Sequence, residues 1–359
     1  MLNMKPIHKK YLNLFVTAVF SLAPFYQQAH AEEIDYAADG QRRAQSAGEF
    51  LVGKPAPDMK ITTIDGSTID LSEVYGKKPV YIKFWATWCI PCREQMPGFE
   101  AIYKQYHDQI EVISVNTGIN DNQQSVKPFL KKMGLTMPTV IDDGTLARAF
   151  QLRVTPQHVL IDKQGRFSYF GHVDDENFHN QLERVIHQST VHQSTVDKVS
   201  IAHSPAPDAH TYQVGDTLKN LAFTTINDNS IELKFGEDNS AKVGLVFFGP
   251  WCEWYLEETA PESSKACTQV RELLEEKSKS NNMKWVSIST NVWSSVAELH
   301  EYKKSYGTSL PIVFDGDGKL FEAFGVNQIP TIILMDKSGR IESKVSVQDS
   351  EFENVLTSL

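Results

Sequence analysis

The sequence predicts an α/β protein made of two copies of one domain, each a sheet with helices on both faces. Two observations carry this prediction. Short apolar runs alternate with helical patterns along most of the chain, which implies strands joined by helical crossovers. An internal repeat then returns the same pattern in register. The 359 residues leave each copy long enough to bury a core of its own.

In the first copy, strand patterns fall near Val80–Ala86, Glu111–Asn116, His158–Asp162 and Arg166–Phe170. Helical patterns lie near Pro91–His107, Asn122–Met133 and Asp175–Ile186. The second copy has strand patterns near Val243–Gly249, Lys284–Thr290, Thr331–Asp336 and Arg340–Val345. The repeat is densest late in each copy. Met137-Pro138-Thr139-Val140-Ile141-Asp142, Ala149-Phe150, Pro156 and Leu160-Ile161-Asp162 are answered by Leu310-Pro311-Ile312-Val313-Phe314-Asp315, Ala323-Phe324, Pro330 and Leu334-Met335-Asp336. Between the copies, roughly 187–212, large apolar residues are scarce, His-Gln-Ser-Thr-Val occurs twice in tandem, and Ser204-Pro205-Ala206-Pro207 follows. That composition reads as a flexible linker. Its histidines (His187, His192, His203, His210) have nothing to fix their geometry, so no metal site is assigned.

The first 31 residues read as a secretion signal. Lys5, Lys9 and Lys10 precede an apolar stretch from Leu12 to Phe25, and Ala29-His30-Ala31 supplies a small-x-small cleavage pattern. The stretch is short for a membrane span, so no integral membrane segment is expected after cleavage at Ala31. An uncleaved anchor is the other reading. Cleavage removes those three lysines and takes the formal net charge from −10 to −13, which argues against nucleic acid as a partner. Export places the four cysteines in an oxidising compartment, the periplasm.

The feature that carries chemistry is Phe84-Trp85-Ala86-Thr87-Trp88-Cys89-Ile90-Pro91-Cys92. A buried-strand pattern runs straight into a Cys-x-x-Cys that opens a helix. Unpaired N–H groups and the positive end of a helix dipole favour thiolate over thiol there. Cys89 is the expected nucleophile and Cys92, one turn in, the resolving thiol. The competing readings are half a zinc site and a structural disulfide. Zinc usually takes four ligands, and no second Cys-x-x-Cys or Cys/His pair follows at finger-like spacing. So tight a loop also contributes little closure entropy.

These residues resemble the thioredoxin superfamily, and specifically its TlpA/ResA-like branch of exported thiol–disulfide oxidoreductases. The marks are Phe-Trp-Ala-Thr-Trp-Cys-x-Pro-Cys-Arg, Met96-Pro97, Phe129-Leu130 with Gly134 before Met137-Pro138, and Thr155-Pro156 with Leu160-Ile161-Asp162 and Gly165. The resemblance covers both copies, 49–186 and 213–359. It implies two tandem thioredoxin-like folds and a dithiol enzyme without a bound cofactor. It also implies a cis Pro156 beside Cys89, with Thr155 before it tuning pKa and substrate release, and Trp88 covering the cysteine pair. Two positions depart from the family. Lys83 stands where thioredoxin has a buried acid and this branch often an amide, and is expected to snorkel or find a carboxylate. Gln95 stands where this branch often has a glutamate, which leaves the proton shuttle for Cys92 open.

The second copy keeps Trp251-Cys252 but has Tyr255 where the resolving cysteine belongs, and its other cysteine is Cys267. On one straight helix these would lie about 22 Å apart. Thr259-Ala260-Pro261-Glu262 has the capping-box pattern, however, so a fresh helix is expected to start at Thr259. A fold-back could then bring the two cysteines together. Three readings stay open: a Cys252–Cys267 disulfide, structural or redox-active; a lone reactive Cys252 that forms mixed disulfides; and a catalytically silent copy that only binds partners or dimerises. Pro330, preceded by Ile329, matches the cis-proline position. The Pro-x-x-x-Thr-x-x-Cys pattern of peroxide-reducing relatives is absent.

The expected function is a periplasmic oxidoreductase reducing protein disulfides through Cys89 and Cys92. The resemblance implies electrons from a membrane donor of the DsbD type. A disulfide isomerase or oxidase is the enzyme alternative. A cysteine-based metal or partner-binding assembly module is the alternative from a different class, although a copper carrier more often shows Cys-x-x-x-Cys with a later histidine.

Overall fold

The computed structural model describes residues 35–187, 211–236, 241–279 and 283–359. The predicted signal segment 1–31 and nearly all of the predicted linker 187–212 lie outside the described residues.

The first copy opens with helix α1 (Tyr36–Gly48) and the hairpin β1 (Lys60–Thr62) and β2 (Thr68–Asp70), then the short α2 (Leu71–Val74). Next come β3 (Val80–Trp85), α3 (Ile90–Tyr106), β4 (Glu111–Asn116), α4 (Gln123–Met133), β5 (Thr139–Ile141) and α5 (Thr145–Ala149). Strands β6 (Gln157–Ile161) and β7 (Phe167–Gly171) and helix α6 (Glu176–His187) complete it. The sheet order is β5-β4-β3-β6-β7, parallel from β3 to β5 and antiparallel from β3 to β7. Every residue of the central strand β3 is buried, as a strand covered on both faces requires. Tyr81 and Trp85 face a core with Phe99, Ile102, Phe178 and Leu182 of α3 and α6; Val80, Ile82 and Phe84 face one with Leu71, Leu146 and Phe150.

The second copy repeats the plan: the hairpin β8 (Asn220–Thr224) and β9 (Ser230–Lys234), β10 (Lys242–Phe248), α7 (Cys252–Tyr255), α8 (Pro261–Lys277) and β11 (Met283–Ser289). Then follow α9 (Val296–Tyr306), β12 (Ile312–Phe314), α10 (Lys319–Ala323), β13 (Thr331–Met335), β14 (Ile341–Ser346) and α11 (Phe352–Ser358). Its sheet order, β12-β11-β10-β13-β14, is that of the first copy. Both copies are thioredoxin-like α/β folds with a mixed five-stranded sheet flanked by helices.

Caps fix the element boundaries near the site. Asn122 and Ser125 form a reciprocal capping box at the start of α4, and Gly134 ends that helix with a left-handed φ of 68°. The buried Asp142 carboxylate accepts the N–H groups of Leu146 and Ala147 at 2.9 and 2.7 Å, and Asp315 does the same for Leu320 and Phe321. The capping box expected at Thr259 does not form. Helix α8 starts at Pro261 with Ala260 at its N-cap and no side-chain cap, and Thr259 Oγ1 is buried without a hydrogen bond. Proline at the first helical position has a preset φ and no N–H to satisfy, so it starts the helix one residue later than the pattern suggests.

The sequence reading also opened the first copy at residue 49 and did not anticipate α1. That helix packs on β7: Gln41 Oε1 accepts the N–H groups of His172 and Val173 at 2.8 and 3.2 Å. A Cβ on Gly40 or Gly48 would meet the His172 or Phe170 ring at 2.4 Å, so α1 lies directly on the strand.

Candidate functional site

Strand β3 ends at Trp85, and four residues later Cys89 is the N-cap of α3. Its Sγ accepts the Cys92 N–H at 3.2 Å, one of the helix-end donors that no backbone carbonyl can reach. Cys89 and Cys92 are joined as a disulfide, with Cα atoms 5.2 Å apart. Thr87 anchors the turn before them: its N–H and hydroxyl both go to the buried carboxylate of Asp121, at 2.7 and 2.5 Å. Arg93 Nε returns to the Thr87 carbonyl at 2.5 Å. Trp88 belongs to the same apolar cluster as the pair, with its indole N–H on the Ile119 carbonyl at 2.7 Å.

Strand β6 runs antiparallel to β3 with Phe84 opposite Gln157. That register places the Thr155-Pro156 bond, which is cis, at the end of β3 from which Cys89 departs. Ile329-Pro330 is cis at the equivalent place in the second copy.

Beneath α3 lies a closed polar cluster. Lys83 is fully buried and its amine donates to Gln95 Oε1 at 3.0 Å. His158 Nε2 meets the same Gln95 oxygen at 3.0 Å, and its Nδ1 meets the Tyr81 hydroxyl at 2.7 Å. Gln95 Nε2 donates to the His172 carbonyl, and His172 Nδ1 bonds the Pro156 carbonyl at 2.7 Å. A chain of hydrogen bonds therefore runs from Lys83 through Gln95 and His172 to the cis-proline loop. Burial pushes Lys83 down to about 7, against the charge of Asp174, which acts the other way. Burial likewise holds His158 well below the ordinary histidine range. Lys83 thus neither snorkels nor bonds a carboxylate, as its charge had suggested. On a central strand covered on both faces the amine has no path to solvent, and the amide of Gln95 is the acceptor within reach.

In the second copy Cys252 and Cys267 are also joined, with Cα atoms 6.2 Å apart. The turn between α7 and α8 folds the chain back and makes this geometry possible. Cys252→Ser combined with Cys267→Ser is expected to cost about 3 kcal/mol in urea unfolding, from the chain entropy of a loop this size. The same pair of changes at Cys89 and Cys92 should cost about half as much, because their loop is far shorter.

The two cysteine pairs do not lie on separate surfaces. Cys89, Cys92, Trp88, Trp251, Cys252, Cys267 and Ile329 belong to one apolar cluster. The Trp88 and Trp251 rings stack with centroids 5.0 Å apart, and Tyr255 meets both edge-on. The Tyr255 hydroxyl accepts the Ile90 N–H at 3.2 Å, so the residue in place of the lost resolving cysteine holds a helix-end donor of the other copy. Sequence reasoning named Cys89, Cys92, Trp88, Thr155, Pro156, Cys252, Cys267 and Pro330 as candidates; the structure gathers both cysteine pairs and Trp88 in one cluster and has both X–Pro bonds cis. It missed the loops after β4 and β11, where Asn120 and Trp293 occupy equivalent places and share a left-handed φ of 54°. Their position in the repeat was the available signal.

A model of the AhpC/TSA family matches residues 52–170 and a Redoxin model matches residues 213–359. The thiol-disulfide oxidoreductase ResA of Geobacillus kaustophilus is 36% identical over 138 residues, 37% of this chain and 78% of ResA. ResA of Bacillus cereus is 31% identical over 141 residues, 38% of this chain and 80% of that protein. The thioredoxin-like protein YneN of Bacillus subtilis is 35% identical over 114 residues, 32% of this chain and 66% of YneN. Among solved structures, a putative thiol:disulfide interchange protein DsbE from Chlorobium tepidum is 27% identical with a TM-score of 0.34, covering 38% of this chain and 97% of its own.

Proposed function

The chain belongs to the ResA-like thiol–disulfide oxidoreductases of the thioredoxin superfamily, and from that premise we propose that it reduces disulfides of exported proteins through Cys89 and Cys92. The observation that carries this reading is the bonded pair at the N-terminus of α3, with Cys89 Sγ already accepting a helix-end N–H. The same N–H stabilises a thiolate once the pair is reduced.

In the reduced enzyme the Cys89 thiolate attacks one sulfur of a substrate disulfide. A Cys89–substrate disulfide forms, and the other substrate sulfur leaves as a thiolate and takes up a proton. Cys92, after losing its proton, attacks Cys89 Sγ, closes the Cys89–Cys92 disulfide and releases the second substrate thiol. Two electrons pass from the pair to the substrate. A membrane dithiol donor of the DsbD type returns them.

Thr155 and Pro156 present main chain beside the nucleophile, and Trp88 shields the pair from water. The candidate signal segment supports a periplasmic setting, and no helix among the described residues is long and apolar enough to cross a membrane. The Cys252–Cys267 disulfide braces the second copy.

A redox titration of the protein tests this, with alkylation and mass spectrometry reading the two pairs separately. The expected midpoint for Cys89/Cys92 is about −270 mV or lower, as for thioredoxin. A midpoint near about −120 mV would instead make the protein an oxidant. Cys252/Cys267 is expected to stay oxidised to below about −300 mV, as structural disulfides do.

A further inference from the structure

The nucleophile of the proposed reaction is out of reach. Cys89 has 0% of its surface exposed, and the preceding Trp88 only 2%. A protein disulfide cannot approach Sγ in this arrangement. What covers the site is the second copy, and it does so in a symmetric way.

Residues 117–120 of the first copy correspond to 290–293 of the second, and 153–156 to 327–330. Each loop after the second sheet strand reaches the cis-proline loop of the opposite copy. The Asn120 N–H donates to the Asn327 carbonyl and the Trp293 N–H to the Arg153 carbonyl, both at 2.9 Å. Asn120 then brackets Ile329, taking its N–H on Oδ1 at 2.7 Å and giving Nδ2 to its carbonyl at 3.1 Å. Trp293 Nε1 lies 3.2 Å from the Thr155 carbonyl and 3.3 Å from its hydroxyl. The two tryptophans before the first cysteine stack on the axis relating the copies. Polar pairs close the edge: Arg148 to Glu322 at 2.9 Å and Arg43 to Glu298 at 2.6 Å.

Main chain beside Cys89 is therefore satisfied by the protein's own second copy. The carbonyls of Arg153 and Thr155 and the N–H of Ile90 all have partners from it. A polypeptide seeking these groups must displace Trp293 and Tyr255 first.

We propose that the second copy is a resident occupant of the first copy's substrate face, so that binding a protein substrate and closure of the two copies exclude one another. This rests on the reading of Cys89/Cys92 as the reactive pair. Reduction of that pair then proceeds only from the open form, and its rate follows the fraction of protein that is open. No covalent step is added to the reaction. What changes is when Sγ can be reached.

The test uses the full chain, dithiothreitol as the probe, and alkylation to follow loss of the Cys89–Cys92 disulfide. Arg148→Glu puts two carboxylates face to face at the edge and should raise the reduction rate about tenfold. Glu322→Arg should do the same by opposing two cations. The double swap Arg148→Glu with Glu322→Arg restores an opposite pair and should return the rate toward that of the parent. Added salt should speed the parent protein and leave the single variants less affected. Equal rates in all four proteins, with no response to salt, would overturn the proposal while leaving the redox reading intact. A Cys89–Cys92 pair that cannot be reversibly reduced in any of the four would overturn both, and the midpoint potential measured on the same samples tells the two failures apart.

Discussion

A Cys92→Ala protein, reduced and then mixed with an oxidised protein substrate, is expected to accumulate a covalent adduct through Cys89. With its partner gone, the Cys89 thiolate can still displace one sulfur of the substrate, but nothing in the first copy can displace the second. The adduct should appear as a mass increase equal to one substrate chain, and reductant should release it. Cys89→Ser should form no adduct, because serine at a helix end is not deprotonated near neutral pH. Both variants should lose turnover by at least about a thousandfold, since removing either member of a cooperating set abolishes the cycle. An adduct on Cys92 in the Cys89→Ser protein would reverse the assignment of nucleophile and resolving thiol. Cys89 sits at the N-cap, ahead of the first turn of α3 that encloses Cys92, and that order along the helix favours Cys89 as the sulfur a substrate meets first.

The second large effect concerns stability and pH. Lys83 is fully buried on the central strand, with its amine on the Gln95 amide oxygen. Burial lowers its folded-state pKa from 10.5 to about 7. Between those two values the unfolded chain carries a proton on Lys83 that the folded protein does not. Stability therefore rises as the pH goes from about 7 toward about 10 and falls as it is lowered again. The full shift corresponds to roughly 5 kcal/mol of disfavoured charge at pH 7 or below. Lys83→Met fills similar volume without the charge. It is expected to stabilise the protein by about 2–4 kcal/mol at pH 7, part of the gain being lost with the bond to Gln95. The two proteins should converge near pH 10. Urea unfolding at pH 7 and pH 10 measures this, and a parent protein whose advantage or deficit does not change between them would contradict the assignment of a neutral buried amine.

Much of the fold was legible in the sequence because local chemistry and the global arrangement agree. The continuous apolar run at Val80–Trp85 demands a strand covered on both faces, and the repeat doubles every inference drawn from one copy. Both X–Pro bonds singled out by position, Thr155-Pro156 and Ile329-Pro330, are cis. Other features were invisible for physical reasons. The edge strands β5 and β12 are three residues each, too short for a period to register. Helix α1 is a polar segment whose few buried positions, Gly40, Ala44, Ala47 and Gly48, are small residues that carry little hydrophobic signal. Lys83 was read from its charge, and tertiary enclosure overrode that preference. The docking of one copy on the other left no mark in periodicity, because the residues that make it sit in loops. Asn120 and Trp293 share a place in the repeat but not a residue type, so comparison of the copies passed over them.

That difference between equivalent places has a consequence of its own. In an isologous contact between identical subunits, a residue on the symmetry axis meets its own copy. Arg148 and Glu322 are such equivalent positions, and they form an ion pair. Two first copies meeting in this way would set arginine against arginine, and two second copies glutamate against glutamate. Tandem fusion frees each face to diverge from its twin. The pairing is thereby written as a heterodimer inside a single polypeptide, in which like-with-like association between neighbouring molecules is penalised by charge.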